Sequence, residues 1–105
     1  TKDHSYVQQL VDEGKITKKE CMNHPKRNML IKALGCTEFI EPGSMIKGFI
    51  KGDIILMCTD GLTNMVSEQE IFNILKINTI EPSKELVEKA NEKGGLDNIT
   101  AIVIK

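Results

Sequence analysis

With 105 residues and 40% apolar content, the chain suits a single domain with a modest core. Fourteen basic residues against fifteen acidic ones leave a net charge of −1, and no basic tract breaks that balance, so nucleic acid is not an expected partner. Trp is absent and aromatics are scarce, which removes a base-stacking platform. No apolar stretch is long enough to cross a membrane, and no signal-peptide pattern opens the chain.

Ser5 is placed to cap a first helix, in which Tyr6, Val7, Leu10 and Val11 recur at helical spacing and which Gly14 ends. Thr17 and Glu20 have capping-box spacing, opening a short second helix that Asn23-His24-Pro25 closes. Residues 29–34 read as a strand stopped by Gly35, and Glu41-Pro42-Gly43 as a turn. Residues 45–50 alternate loosely, as a strand would, before the tight turn Lys51-Gly52-Asp53. Residues 53–59 form the next predicted strand. Its run Ile54-Ile55-Leu56-Met57 predicts cover on both faces. Ser67 and Glu70 repeat the capping-box spacing ahead of Ile71, Ile74 and Leu75. Glu81-Pro82-Ser83 starts a last helix that buries Leu86, Val87 and Ala90 and stops at Gly94-Gly95. Residues 98–104, rich in β-branched side chains, form the final strand. This order suggests an α+β layered arrangement.

Three cysteines, Cys21, Cys36 and Cys58, form no C-x-x-C pair and are odd in number. They suit a reducing, cytoplasmic setting as small apolar fillers better than a disulfide framework. The first residue is Thr1 rather than Met, so the chain reads as a piece of something longer.

Asp60 follows one predicted strand and Asp97 precedes another. If residues 53–59 and 98–104 are antiparallel neighbours, both carboxylates come to one edge of the sheet. Close carboxylates repel, and a hard divalent cation with oxygen-only ligation, magnesium or manganese, removes the conflict. Gly61 and Gly94-Gly95 permit close approach beside the acids, and Asn98 is placed to orient Asp97 by a hydrogen bond. Asp-Gly and Gly-Gly-x-Asp-Asn are also ordinary turn compositions, and spacing alone favours turns over a metal site.

The stretches "DIILMCTDGLTNMVSEQEI" and "GGLDNITAIVI" resemble the C-terminal half of the metal-dependent serine/threonine protein phosphatases of the 2C class. The family's Ser-Asp-Gly-Leu is matched by Thr59-Asp60-Gly61-Leu62, which keeps the hydroxyl, and its Gly-Gly-x-Asp-Asn is matched as it stands. "TKDHS" resembles the family's Thr-x-Asp-His-Ser, and "EGKITKKE" with "HPKRNMLIKALG" resembles the flap of bacterial members and the strand after it. The motifs cover residues 1–105 in family order, with a flap-like region at 1–35 and a sheet-and-helix region at 45–105. The resemblance implies part of a four-layer α-β-β-α sandwich with antiparallel sheets. It makes Asp60 and Asp97 ligands of a binuclear Mn²⁺ or Mg²⁺ centre, at which a bridging water attacks a phosphoserine or phosphothreonine of a protein substrate. The phosphate-holding Arg and the acidic Asp-Gly-x-Gly-Gly motif of the family's N-terminal half do not occur here. The expectation is therefore a phosphatase parent and an inactive, or nearly inactive, segment that needs the N-terminal half as its partner. The alternative is a degenerate, non-catalytic relative that docks a partner. Strands deprived of neighbours also predict self-association of the segment.

Other side chains support blander readings. His4, a candidate general acid by its titration range, reads better as a structural hydrogen-bonding residue with Asp3 as partner. His24, Lys26 and Arg27 fit a solvated loop, the five methionines fit core gap-fillers, and Cys58 fits a buried, inert thiol.

Overall fold

Ser5 caps α1 (Tyr6–Asp12): its hydroxyl oxygen accepts the Gln8 N–H at 3.3 Å. The computed structural model describes residues 1–78 and 80–105, which divide into the units Thr1–Lys47 and Gly48–Lys105. In the first unit α1 buries Val7 and ends at Gly14, whose φ of +69° is a left-handed geometry that side-chain-bearing residues avoid. Thr17 and Glu20 close a capping box on α2 (Lys18–Cys21), with the Thr17 N–H donating to Glu20 Oε2 at 2.7 Å.

The strand expected over 29–34 shrinks to one bridge between Ser5 and Leu30. It is flanked by bonds from the Tyr6 N–H to the Met29 carbonyl (2.8 Å) and from the Ile31 N–H to the His4 carbonyl (2.9 Å). The partner segment turns into α1 at Tyr6, so the ladder has nothing further to pair with. Residues 45–50 form no strand either. Ile46 and Phe49 are exposed, and no ladder partner lies beside them among the described residues. An apolar alternation with no neighbouring segment has no ladder to join, so it forms no β-strand.

The second unit opens with the expected turn: the Asp53 N–H donates to the Ile50 carbonyl at 3.0 Å and the Ile50 N–H to Asp53 Oδ2 at 2.9 Å. There follow β1 (Ile55–Cys58), α3 (Asp60–Thr63), α4 (Glu68–Ile77), α5 (Pro82–Glu92) and β2 (Ala101–Ile104). Ser67 and Glu70 form the second capping box, at the start of α4, and Pro82 occupies the first turn of α5, where its missing N–H costs nothing. Asp60-Gly61 was expected as a turn, yet α3 runs through it. Leu62 is fully buried, and its carbonyl accepts the Val66 N–H at 2.9 Å, so tertiary burial overrides glycine's poor helix propensity.

β1 and β2 pair antiparallel, with Ile55 opposite Ile104 and Cys58 opposite Ala101. Both strands are shorter than the sequence suggests. On one face Leu56, Ala101 and Val103 pack against a core of Leu62, Val66, Ile71, Leu86 and Ala90. Full burial of a leucine such as Leu62 or Leu86 stabilises the unit by about 1.5–3 kcal/mol. The opposite face carries Ile55, Met57, Ile102 and Ile104, the last three about half exposed, so the prediction that both faces of the 54–57 run are covered is corrected. Only Met65 among the methionines packs against the core. Met22, Met29, Met45 and Met57 are exposed, which overturns their reading as gap-fillers.

Candidate functional site

The antiparallel pairing sets the C-terminal end of β1 beside the N-terminal end of β2. Asp60 opens α3 just beyond β1, and Asp97 stands four positions ahead of β2, so both belong to the same end of the sheet. The two segments are joined by direct contacts. Thr59 donates its N–H to the Thr100 carbonyl at 3.0 Å, continuing the ladder one step past Cys58. Its carbonyl does not complete that pair; it accepts the Leu62 N–H at 3.1 Å as the chain turns into α3. The Thr59 hydroxyl takes over, accepting the Thr100 N–H at 3.0 Å and donating to the Asn98 carbonyl at 3.2 Å.

Gly61, buried in the first turn of α3, presses on the same carbonyl. A Cβ at this position would stand 2.3 Å from the Asn98 oxygen, well inside any real contact. Asn98 does contact Asp97, but through its backbone: its N–H donates to Asp97 Oδ1 at 2.7 Å. A run of contacts thus leads from Asp97 through Asn98 and Thr59 to Asp60. Both aspartates are exposed.

As a donor set the two carboxylates fit a hard divalent cation such as Mn²⁺ or Mg²⁺, which prefers oxygen ligands. They supply only part of one. Among the described residues no group of three or more His, Cys, Asp or Glu side chains stands together as a metal cluster. Further ligands would have to be water or residues of another chain segment.

No family model matches the sequence. The serine/threonine phosphatase stp of Listeria monocytogenes is 42% identical over 107 residues, a match that takes in all of this chain and 42% of that protein. The crystal structure of the Mycobacterium tuberculosis serine/threonine phosphatase PstP/Ppp superimposes with a TM-score of 0.88 at 41% identity, covering 98% of this chain and 44% of that one. The chain is homologous to the C-terminal part of bacterial serine/threonine phosphatases. It spans about two fifths of the length of such relatives. A PstP catalytic domain solved in complex with two manganese ions also superimposes on this chain, with a TM-score of 0.81 at 38% identity over 98% of this chain and 42% of that one.

Residues outside the aspartate pair fall where local chemistry puts them. No hydrogen bond joins the His4 side chain to Asp3 among the described residues; the imidazole instead lies against Gly43. His24 is half-buried rather than freely solvated. Its Nδ1 accepts the Lys26 N–H at 3.1 Å, and the Lys26 ammonium sits 5.2 Å from the Tyr6 ring centroid. Arg27 donates to the Met22 carbonyl at 2.8 Å. Cys58 is exposed, which corrects its expected burial, although partial desolvation still pushes its thiol above the ordinary range and disfavours the reactive thiolate. In the sequence Thr59 stands out only as a hydroxyl-bearing neighbour of Asp60. The signal available was a helix-capping residue type directly after a strand.

Proposed function

We propose that this chain is the C-terminal part of a metal-dependent phosphoserine/phosphothreonine protein phosphatase, with Asp60 and Asp97 contributing ligands to a binuclear Mn²⁺ or Mg²⁺ centre. The observation that carries the reading is the joining of the two aspartate-bearing segments through Thr59, Gly61 and Asn98. When bound, the cations neutralise phosphoryl charge and make coordinated water more acidic. The chain's own residues hold the acids for that task. The Asn98 N–H fixes Oδ1 of Asp97 and leaves Oδ2 for ligation, while α3 carries Asp60 as its first residue.

Within this reading the two-stranded sheet is part of a four-layer α-β-β-α sandwich, residues 1–35 serve as the flap-like region and 45–105 as the sheet-and-helix region. The partners are a phosphorylated protein and the N-terminal half of the domain. The apolar sheet face left exposed here supports that need for a second half and also favours self-association of the isolated chain. Its three free cysteines suit a reducing cytoplasm.

The test joins the chain to the N-terminal part of the Listeria homologue and measures hydrolysis of a phosphothreonine peptide with and without Mn²⁺. Manganese-dependent turnover, lost in Asp60→Asn and Asp97→Asn, is expected from the joined protein and not from the chain alone. A folded joined protein with no turnover contradicts the reading and favours a non-catalytic, partner-binding relative.

A further inference from the structure

We infer that Thr59 is a positioning residue for the cation site: its hydroxyl sets the separation of the Asp60 and Asp97 carboxylates, and the metal affinity of the pair depends on it. The inference rests on the metal-ligand reading above and adds a residue to it. A threonine directly ahead of a helix ordinarily spends its side-chain oxygen on an N–H of that helix. Thr59 makes no such bond to α3. Its hydroxyl is committed across the sheet, accepting from the Thr100 N–H and donating to the Asn98 carbonyl.

That double use explains the residue type. The site needs one acceptor for an N–H and one donor for a carbonyl at the same point, and among small side chains a hydroxyl supplies both. Valine, with the same shape, supplies neither. The carbonyl that Thr59 grips belongs to Asn98, whose N–H is already bonded to Asp97, so the residue after the second carboxylate is held on both sides. Gly61 sets the closest approach of α3 to that carbonyl, and the Thr59 hydroxyl opposes its drift outward. Sequence-adjacent to Asp60, Thr59 therefore couples the two acids although its hydroxyl bonds to neither carboxylate.

The experiment uses the chain joined to the N-terminal part of the Listeria homologue, as in the preceding test, and its Thr59→Val, Thr59→Ser, Asp60→Asn and Asp97→Asn variants. Mn²⁺ is titrated in, and paramagnetic broadening of the amide signals of residues 60–62 and 96–98 gives the dissociation constant. Hydrogen exchange of the Thr100 amide and thermal unfolding are recorded in EDTA. Thr59→Val is expected to speed Thr100 exchange and to weaken Mn²⁺ binding roughly tenfold, the scale seen when groups that orient metal ligands are removed. Thr59→Ser should leave both unchanged. Parent-like Mn²⁺ affinity in Thr59→Val, with Asp60→Asn and Asp97→Asn weakened, overturns the positioning role and leaves the metal reading standing. So does a Thr59→Val protein that only melts earlier. Unchanged broadening in both aspartate variants overturns the metal reading and this inference with it. Should Thr59→Val not fold, Thr59→Ala removes the hydroxyl without added bulk and is judged by the same outcomes.

Discussion

The Lys93 ammonium lies 2.7 Å from Oε2 of Glu70, so the end of α5 is tied to the first turn of α4. The same carboxylate accepts the Ser67 hydroxyl at 2.7 Å and the Ser67 N–H at 3.0 Å. Lys93 first, then the Ser67 hydroxyl and N–H, hold Glu70 at a pKa of about 2, below its ordinary 4.5. Between those values the unfolded chain binds more protons than the folded one, so stability rises with pH across the interval. The contribution is therefore fully present above about 4.5 and is lost as pH falls towards about 2. Melting temperatures measured from pH 6 down to 2 should fall through this window. Glu70→Gln should remove that part of the slope, and an identical slope in parent and variant would count against the network.

Gly61 makes a second, sharper prediction. The methyl group of Gly61→Ala would have to occupy space 2.3 Å from a backbone oxygen, which cannot rotate away as a side chain would. The α3 turn and the Asn98 strand must separate, at a cost of about 1–3 kcal/mol, the usual scale for overpacking. Urea unfolding should show a lowered midpoint, and the Thr59 and Asn98 amide signals should shift together. Parent-like stability would mean that the two segments are less tightly pressed than their contacts indicate.

What the sequence made legible was local. Ser5, the Thr17–Glu20 and Ser67–Glu70 boxes and Pro82 act within three or four residues of themselves, so four of the five helix starts are readable from them. Strands are not local. The 45–50 segment has the composition of one and lacks a neighbour, while the pairing of 53–59 with 98–104 is a supposition at the level of sequence that the ladder between β1 and β2 bears out. The α3 turn was missed because it depends on Leu62 reaching a core built by α4 and α5. At the site the two aspartates stood out by type and spacing. The role of Thr59 did not, because its partners lie 39 and 41 positions away and a hydroxyl carries no pattern of its own.

Leu62 and Leu86 come from different helices and are both fully buried in the one core of the second unit. Replacing either by alanine removes methyl groups and leaves a cavity, costing about 2–5 kcal/mol. A unit of the size of Gly48–Lys105 rarely draws more than about 3–5 kcal/mol from such a core. Leu62→Ala or Leu86→Ala should therefore leave a large unfolded fraction at 25 °C by circular dichroism. Exposed Leu96→Ala, by contrast, should be close to neutral. Equal effects at the three positions would displace the core from where it is described.

The uncovered sheet face supplies the last prediction. Met57 and Ile102 are paired across the ladder and stand 49% and 51% exposed, with Ile104 at 48% beside them. The outer edges of β1 and β2 have no strand partner among the described residues, so backbone donors and acceptors are available next to an apolar surface. Such an edge pairs readily with another copy of itself, and the apolar face gains by being removed from water. Light scattering at rising concentration should give a mass above the 11.7 kDa of one chain. Ile102→Lys places a charge on the exposed face and leaves the core-facing Ala101 and Val103 in place, so it should return the mass towards the monomer without unfolding. A single-chain mass for the parent at high concentration would show that this face stays solvated, and the self-association proposed for the isolated chain would have to be given up.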